Sequence, residues 1–161
     1  IPQQLTTVYR ELTGTSPEGR PNPADVIARC RSNGGFFKND LVDALLFLEE
    51  IQMKEKSEKT RFFSQLAGQM ESFPEGVGRY KILPLLIAAF EFGEAGSAVL
   101  PPLLQLGNQL PDAEYQKRVV PCVVKLFASN DRATRLRLLQ QLDRFVNHLQ
   151  PATVNDAIFP Q

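Results

Sequence analysis

Lys81-Ile82-Leu83-Pro84-Leu85-Leu86 returns further along the chain as Arg118-Val119-Val120-Pro121-Cys122-Val123, and Phe90 then corresponds to Phe127 at the same offset of 37. A cation, two aliphatic residues, a proline and an apolar pair therefore open two equivalent segments. The second halves of these segments also end alike, Asn108-Gln109-Leu110 against Asn147-His148-Leu149 at an offset of 39. A third start is expected in Ala157-Ile158-Phe159-Pro160. Self-similarity at a fixed period marks a stack of supersecondary units. Strand signals are nearly absent, since no sustained period-2 alternation of β-branched residues occurs and no Asn-Gly or Asp-Gly hairpin turn is present.

Two helices per unit of this length lie close to HEAT and armadillo arithmetic, whose units run to about 40–47 residues. The fold expected is all-α: a HEAT/armadillo-like α-solenoid, a right-handed superhelix of antiparallel helix pairs, preceded by two short helices. Each pair buries one face internally and leaves the other for the next pair to cover. Pro84 and Pro121 should bend the first helix of each unit, because a proline lacks the N–H and clashes with the preceding turn. Asp131, followed by Arg135, is read as an acid and a base that either form a ladder between helices or act as an N-cap plus an exposed arginine. Pro101-Pro102 should interrupt the second helix of the earlier unit, where Glu94-Ala95-Gly96-Ser97 replaces the turn.

Outward from the repeat, Leu5, Val8 and Leu12 form one helical stripe ending near Gly14. A second short helix should start at Pro23 under an Asn22 cap, with Val26, Ile27 and Cys30 facing inward. Gly34-Gly35 is the best boundary, giving an expected division into 1–33 and 36–161. Beyond it, Asn39 or Asp40 caps a helix carrying Leu41, Leu45, Leu48 and Ile51. A solvated run from Lys54 to Lys59 follows, then a helix capped by Ser57 that buries Phe62, Phe63, Leu66 and Met70.

The 161 residues carry 18 Lys plus Arg against 18 Asp plus Glu, which argues against a whole-domain electrostatic grip on nucleic acid or an anionic membrane. A local patch is the remaining route: residues 111–161 hold 7 positive and 5 negative side chains, Arg132, Arg135, Arg137 and Arg144 with Lys125 make this half mildly basic, and the four arginines are its candidate partner surface. Cys30 and Cys122 lack metal-ligand spacing and, with His148 as the only histidine, build neither a zinc site nor a nucleophile with its base. Both cysteines are read as core packing, His148 as structural, Glu49-Glu50 as a solvated face, and a reducing intracellular setting is expected. Neither Gly34-Gly35 nor Gly76-Val77-Gly78 matches a phosphate cradle, so no catalytic residue, cofactor or metal is assigned. No 18-residue apolar stretch exists for membrane insertion. A start at Ile1 rather than Met raises the expectation of a piece of a longer protein, with an apolar face exposed near Ile158 and Phe159.

Arg20-Pro21-Asn22-Pro23-Ala24-Asp25-Val26-Ile27, preceded by Leu5, Tyr9, Leu12 and Thr13, resembles the closing helices of a protein-kinase C-lobe. Gly34-Gly35-Phe36-Phe37, the run Leu46-Phe47-Leu48-Glu49-Glu50-Ile51-Gln52-Met53-Lys54-Glu55, Ala89-Phe90-Glu91-Phe92-Gly93 and the run from Asp131 to Gln141 resemble the SCY-like pseudokinase family. That resemblance implies a catalytically inert kinase-like domain followed by HEAT repeats, with Arg20 in the structural role of the kinase arginine that pairs with an upstream glutamate. It implies a scaffold in COPI-mediated Golgi-to-ER traffic, cytoplasmic and associated with Golgi or ER–Golgi intermediate membranes. The implied partners are coat proteins and Arf-type small GTPases, with self-association available, and the alternative is a tRNA-binding nuclear export adaptor. The basic tail motif that serves coat binding in the best-known branch is absent. The chain also lacks the kinase Gly-rich loop, the lysine strand, the catalytic-loop Asp and Asp-Phe-Gly, so it carries no phosphoryl-transfer arrangement.

Overall fold

The computed structural model describes residues 1–93 and 95–159, so Glu94 and Pro160, which the expected repeat includes, lie outside the described residues. Among the described residues every regular element is helical and none is a strand. The chain divides into two compact units, residues 1–44 and 45–161, and the Gly34-Gly35 pair lies within the first.

In the first unit a 3-10 turn, Gln3–Leu5, leads into α1 (Thr6–Leu12). Helix α2 (Pro23–Arg31) starts where Asn22 Oδ1 accepts from the Ala24 N–H at 2.9 Å. Pro23 has no N–H to satisfy, and Asp25 in the first turn with Arg29 and Arg31 in the last complement the helix dipole. Val26 and Cys30 are buried, but Ile27, expected inward, is 43% exposed. It lies about 100° round the helix from Val26 and joins Leu5, Val8, Leu12 and Phe37 along an open apolar groove. An ion pair between Arg29 and Glu11 ties α2 to α1. Gly34 turns the chain at φ +81°. At Gly35 a Cβ would sit 2.2 Å from the Cys30 carbonyl oxygen, so only glycine lets the chain close on the end of α2, where the Phe37 N–H donates to that oxygen at 2.8 Å. Asn39 Oδ1 then accepts from the Val42 N–H at 3.0 Å at the start of α3 (Asp40–Glu49).

The second unit takes Leu48 and, through a 3-10 turn at Ile51–Met53, Ile51 into its core. Helix α4 (Lys56–Gln69) is capped by Glu55 and not by Ser57. Glu55 accepts from the Glu58 backbone N–H while Glu58 Oε2 accepts from the Glu55 N–H at 2.9 Å, which satisfies two orphan donors where a Ser57 cap would satisfy one. The run from Lys54 is therefore more than a solvated linker: Lys54 also bonds Glu50 at 2.9 Å and lies 5.6 Å over the Phe47 ring. Phe63, Leu66 and Met70 are buried, whereas Phe62 is half-buried and stacks on Phe47 at 4.1 Å.

The repeat then appears twice. Short α5 (Glu75–Val77) widens into a π turn, Gly78–Ile82, before α6 (Leu83–Glu91). In the second copy α8 (Asp112–Arg118) breaks at Val119 before α9 (Val120–Phe127). Pro84 and Pro121 are the second residues of α6 and α9, so each helix changes pitch just ahead of its proline. Proline has no N–H to offer the Tyr80 and Lys117 carbonyls that a regular helix would pair with these positions.

The second helices are α7 (Leu100–Gly107) and α10 (Arg132–Gln140). Pro101-Pro102 does not interrupt α7 but opens it, after a 3-10 turn at Gly96–Val99, because first-turn N–H groups have no intrahelical acceptor to lose. Helix α10 ends earlier than expected. Two 3-10 turns, Leu142–Arg144 and Val146–His148, replace its continuation, and they carry Phe145 to 0% exposure, edge-on to Phe127 at 6.1 Å. Asn147-His148 thus lies in a tight turn and not at the end of a helix. Within this unit α6 packs on α7 and α9, α4 on α7, and α9 on α10. The short α11 (Pro151–Thr153) and a π turn, Val154–Ile158, lie beyond, with the π turn against α9 and Phe159 76% exposed.

Phe63 at 0% exposure has no room to relax. Phe63→Ala is expected to cost about 3–5 kcal/mol in urea unfolding. Gly68 lies inside α4, where an added Cβ would meet nothing within 4 Å. Gly68→Ala should therefore raise stability by about 0.5–1 kcal/mol in the same assay.

Candidate functional site

The four candidate arginines do not converge on one patch. Arg132, Arg135 and Arg137 sit on α10, and Arg137, which is half-buried, lies about 140° round the helix from Arg132. Arg135 is fastened to the preceding turn, where its Nε donates to the Ser129 carbonyl at 2.9 Å and its Nη2 to Asn130 Oδ1 at 3.5 Å. Arg144 lines a different cleft with Glu71, Gln105, Asn108 and Gln141. Asp131 caps α10: its Oδ2 accepts from the Thr134 N–H at 2.8 Å and from Thr134 Oγ1 at 2.7 Å. The Thr134 hydroxyl, then its backbone N–H, hold this carboxyl below its ordinary 3.8. The acid and the base at 131 and 135 thus both serve the local turn. Arg20 Nε donates to the Gly14 carbonyl at 2.9 Å within the first unit.

The two repeat prolines, by contrast, are brought together. Pro84 and Pro121 line one groove of about 400 Å³ between α6 and α9, with Ile87, Ala88, Phe90 and Cys122 as its apolar wall and Lys117, Arg118, Lys125 and Glu91 as its charged members. Lys125 Nζ lies 5.5 Å from the Phe90 ring centroid. Beside the groove, Glu114 bridges two cations, Arg79 of the earlier repeat at 2.5 Å and Arg118 of its own helix at 3.6 Å. Lys117 is not among the residues that the sequence singles out. The offset of 37 is the available signal, since it sets Pro84 opposite Pro121 and so places Lys117, one turn before the second proline, at the same edge.

Nothing in this groove is a nucleophile. Burial, then the charge of Glu91, push the Cys122 thiol from 9.0 up to about 11, so it stays protonated at neutral pH. Cys30 is also a buried, free thiol. His148 is occupied structurally: its ring stacks on Tyr115 at 4.1 Å, its Nδ1 lies 3.6 Å from Asp112 Oδ1, and its carbonyl accepts from the Gln116 amide. Among the described residues no three His, Cys, Asp or Glu side chains group as a metal ion would require, and no helix is long and apolar enough to cross a membrane.

Fold and surface together define a class of protein, a helical-repeat segment that offers grooves between stacked helices and assembles no catalytic constellation among its described residues. The chain matches known proteins along nearly its whole length. It is 40% identical over 160 residues to the Dictyostelium discoideum protein named probable inactive serine/threonine-protein kinase scy1, a match covering 99% of this chain and 19% of that protein. It is 27% identical over 168 residues to the mouse protein-associating with the carboxyl-terminal domain of ezrin, covering 98% of this chain and 22% of the relative. It is 23% identical over 161 residues to human SCY1-like protein 2, covering 99% of this chain and 17% of the relative. The chain is thus similar along its length to SCY1 and SCY1-like proteins and spans about a fifth of the length of these relatives. No family model and no solved structure matches it.

Tyr115 sets the alkaline limit of this repeat. Its ring is 0% exposed, its hydroxyl is buried without a hydrogen-bond partner among the described residues, and burial pushes it from 10.0 up to about 12. The folded state holds this proton after the unfolded chain has released it, so the contribution of Tyr115 to stability is full below about pH 10 and is lost as pH rises toward 12. Tyr115→Phe should leave stability at pH 7 unchanged or higher. The same variant should flatten the loss between pH 10 and 12 in denaturation followed by circular dichroism, while the decline from Cys122, which begins near 9.0, persists.

Proposed function

We propose that this chain is a non-catalytic docking segment of a scaffold in intracellular membrane traffic, serving COPI-coated carriers that return from the Golgi to the endoplasmic reticulum. The observation that carries this reading is the match along 99% of the chain to a protein named as a probable inactive kinase. The fold supports it chemically. A helical repeat presents side-chain grooves, and binding without catalysis asks for no more than shape and charge. The name of the mouse relative, which speaks of association with another protein, is in keeping with a family that works by docking.

Coat subunits and Arf-type small GTPases are the partners proposed, at the cytoplasmic face of Golgi and ER–Golgi intermediate membranes, with a second copy of the chain as a further one. The dispersal of Arg132, Arg137 and Arg144, with Arg135 engaged in its own turn, supports protein over tRNA as the ligand.

The test is capture of purified coat subunits and purified Arf GTPases, in each nucleotide state, by the immobilised chain. Specific capture of at least one is expected. Capture of none, alongside tRNA binding that weakens steeply with salt, would replace the traffic reading with the export-adaptor alternative.

A further inference from the structure

The groove between α6 and α9 combines features that select one kind of occupant. Its walls are apolar, formed by Pro84, Ile87, Ala88 and Phe90 on one side and Pro121 and Cys122 on the other. Among the described residues its charges are unbalanced, because Lys117, Arg118 and Lys125 face it against the one carboxylate of Glu91. Arg118 is engaged by Glu114 at 3.6 Å. Among the described residues Lys117 and Lys125 have no carboxylate within ion-pairing distance, and Lys125 rests on the Phe90 ring.

We propose that this groove seats an acidic amphipathic helix of a partner protein; the proposal rests on the reading of the chain as a docking scaffold and names the surface and the chemistry of its ligand. Both walls are helices whose backbone groups bond within their own ladders, so no free strand edge is offered and recognition falls to side chains. An apolar ridge at i, i+3, i+4 and i+7 fits a cleft walled by proline, isoleucine and phenylalanine. Lys117 precedes the break at Val119 and Lys125 follows it, and both line the groove. Carboxylates flanking the apolar ridge of a docked helix pair with these ammonium groups. Such pairs at a rim steer association and choose the partner by sign more than they add affinity.

The test uses the full 161-residue chain and a fluorescein-labelled helical peptide with Leu at i, i+3, i+4 and i+7 and Glu at the flanking positions, with a second peptide carrying Lys in place of Glu. Fluorescence anisotropy is expected to show the Glu peptide binding at least about tenfold more tightly than the Lys peptide, the effect of two rim ion pairs. Lys117→Glu/Lys125→Glu should remove that preference and Lys117→Ala/Lys125→Ala should weaken it. Lys117 and Lys125 are both exposed, so circular dichroism should show the fold unchanged, and Arg137→Glu on α10 serves as the charge-reversed control. Equal binding of the two peptides, an unchanged affinity in both double variants, or a chain dimer in sedimentation that dissociates in them would overturn the acidic-helix assignment. Capture of coat subunits or Arf GTPases measured in parallel separates the two readings. Capture that persists in the double variants leaves the scaffold standing without this groove, and peptide binding without capture leaves the groove standing without the traffic role.

Discussion

Helix α7 is the constraint on which the second unit depends. Leu100, Leu103 and Leu104 are all fully buried, and Pro102, Leu106 and Gly107 nearly so, because α4 and α6 both pack upon it. A helix apolar on nearly every side cannot stand in water. Its burial therefore requires its neighbours to be in place, and this nearest-neighbour dependence is the energetics of a repeat stack. The close approach at Gly107, where a Cβ would lie 3.0 Å from the Tyr115 ring and 3.1 Å from Val119, shows how tightly the next repeat is drawn in.

From that packing the groove follows. The first helices of successive repeats, α6 and α9, meet at their buried faces and leave their opposite edges apart, so the proline that opens each lies at the lip of a cleft. Proline suits the lip because its missing N–H would otherwise have sought an acceptor in the preceding turn. The π turn at Gly78–Ile82 and the break at Val119 are two local solutions to that one chemical problem. The same seam carries the bridge from Arg79 through Glu114 to Arg118, which links one repeat to the next by charge as well as by apolar contact.

Much of this is legible in the linear chain, and the reasons differ by residue. The Asn22 cap, the buried faces of Val26 and Cys30 and the repeat marked by Pro84 and Pro121 can be read because each is local chemistry within one turn of chain or a recurrence along it. Ser57 looks like a cap in sequence, yet two acids, Glu55 and Glu58, satisfy the helix start together, and reciprocal bonding is visible only once the backbone is placed. The fate of Pro101-Pro102 turns on whether the chain reaches them in mid-helix or at a start. Position along a helix decides whether proline breaks it or begins it, and the 3-10 turn before Leu100 settles that point.

The amino-acid sequence by itself determined that the chain is helical, that its second part is built from a repeated pair of helices, and that it is similar along its length to SCY1 and SCY1-like proteins. Those conclusions rest on periodicity, on turn and cap chemistry and on homology, which are properties of the linear chain. Only the tertiary structure decided that Arg132, Arg135, Arg137 and Arg144 form no common patch, and that Lys125 shares an apolar groove with Lys117 and Arg118. Which side chains share a surface depends on how successive helices are rotated and spaced against one another, and that is set by the packing of α6, α7 and α9 rather than by any run of residues.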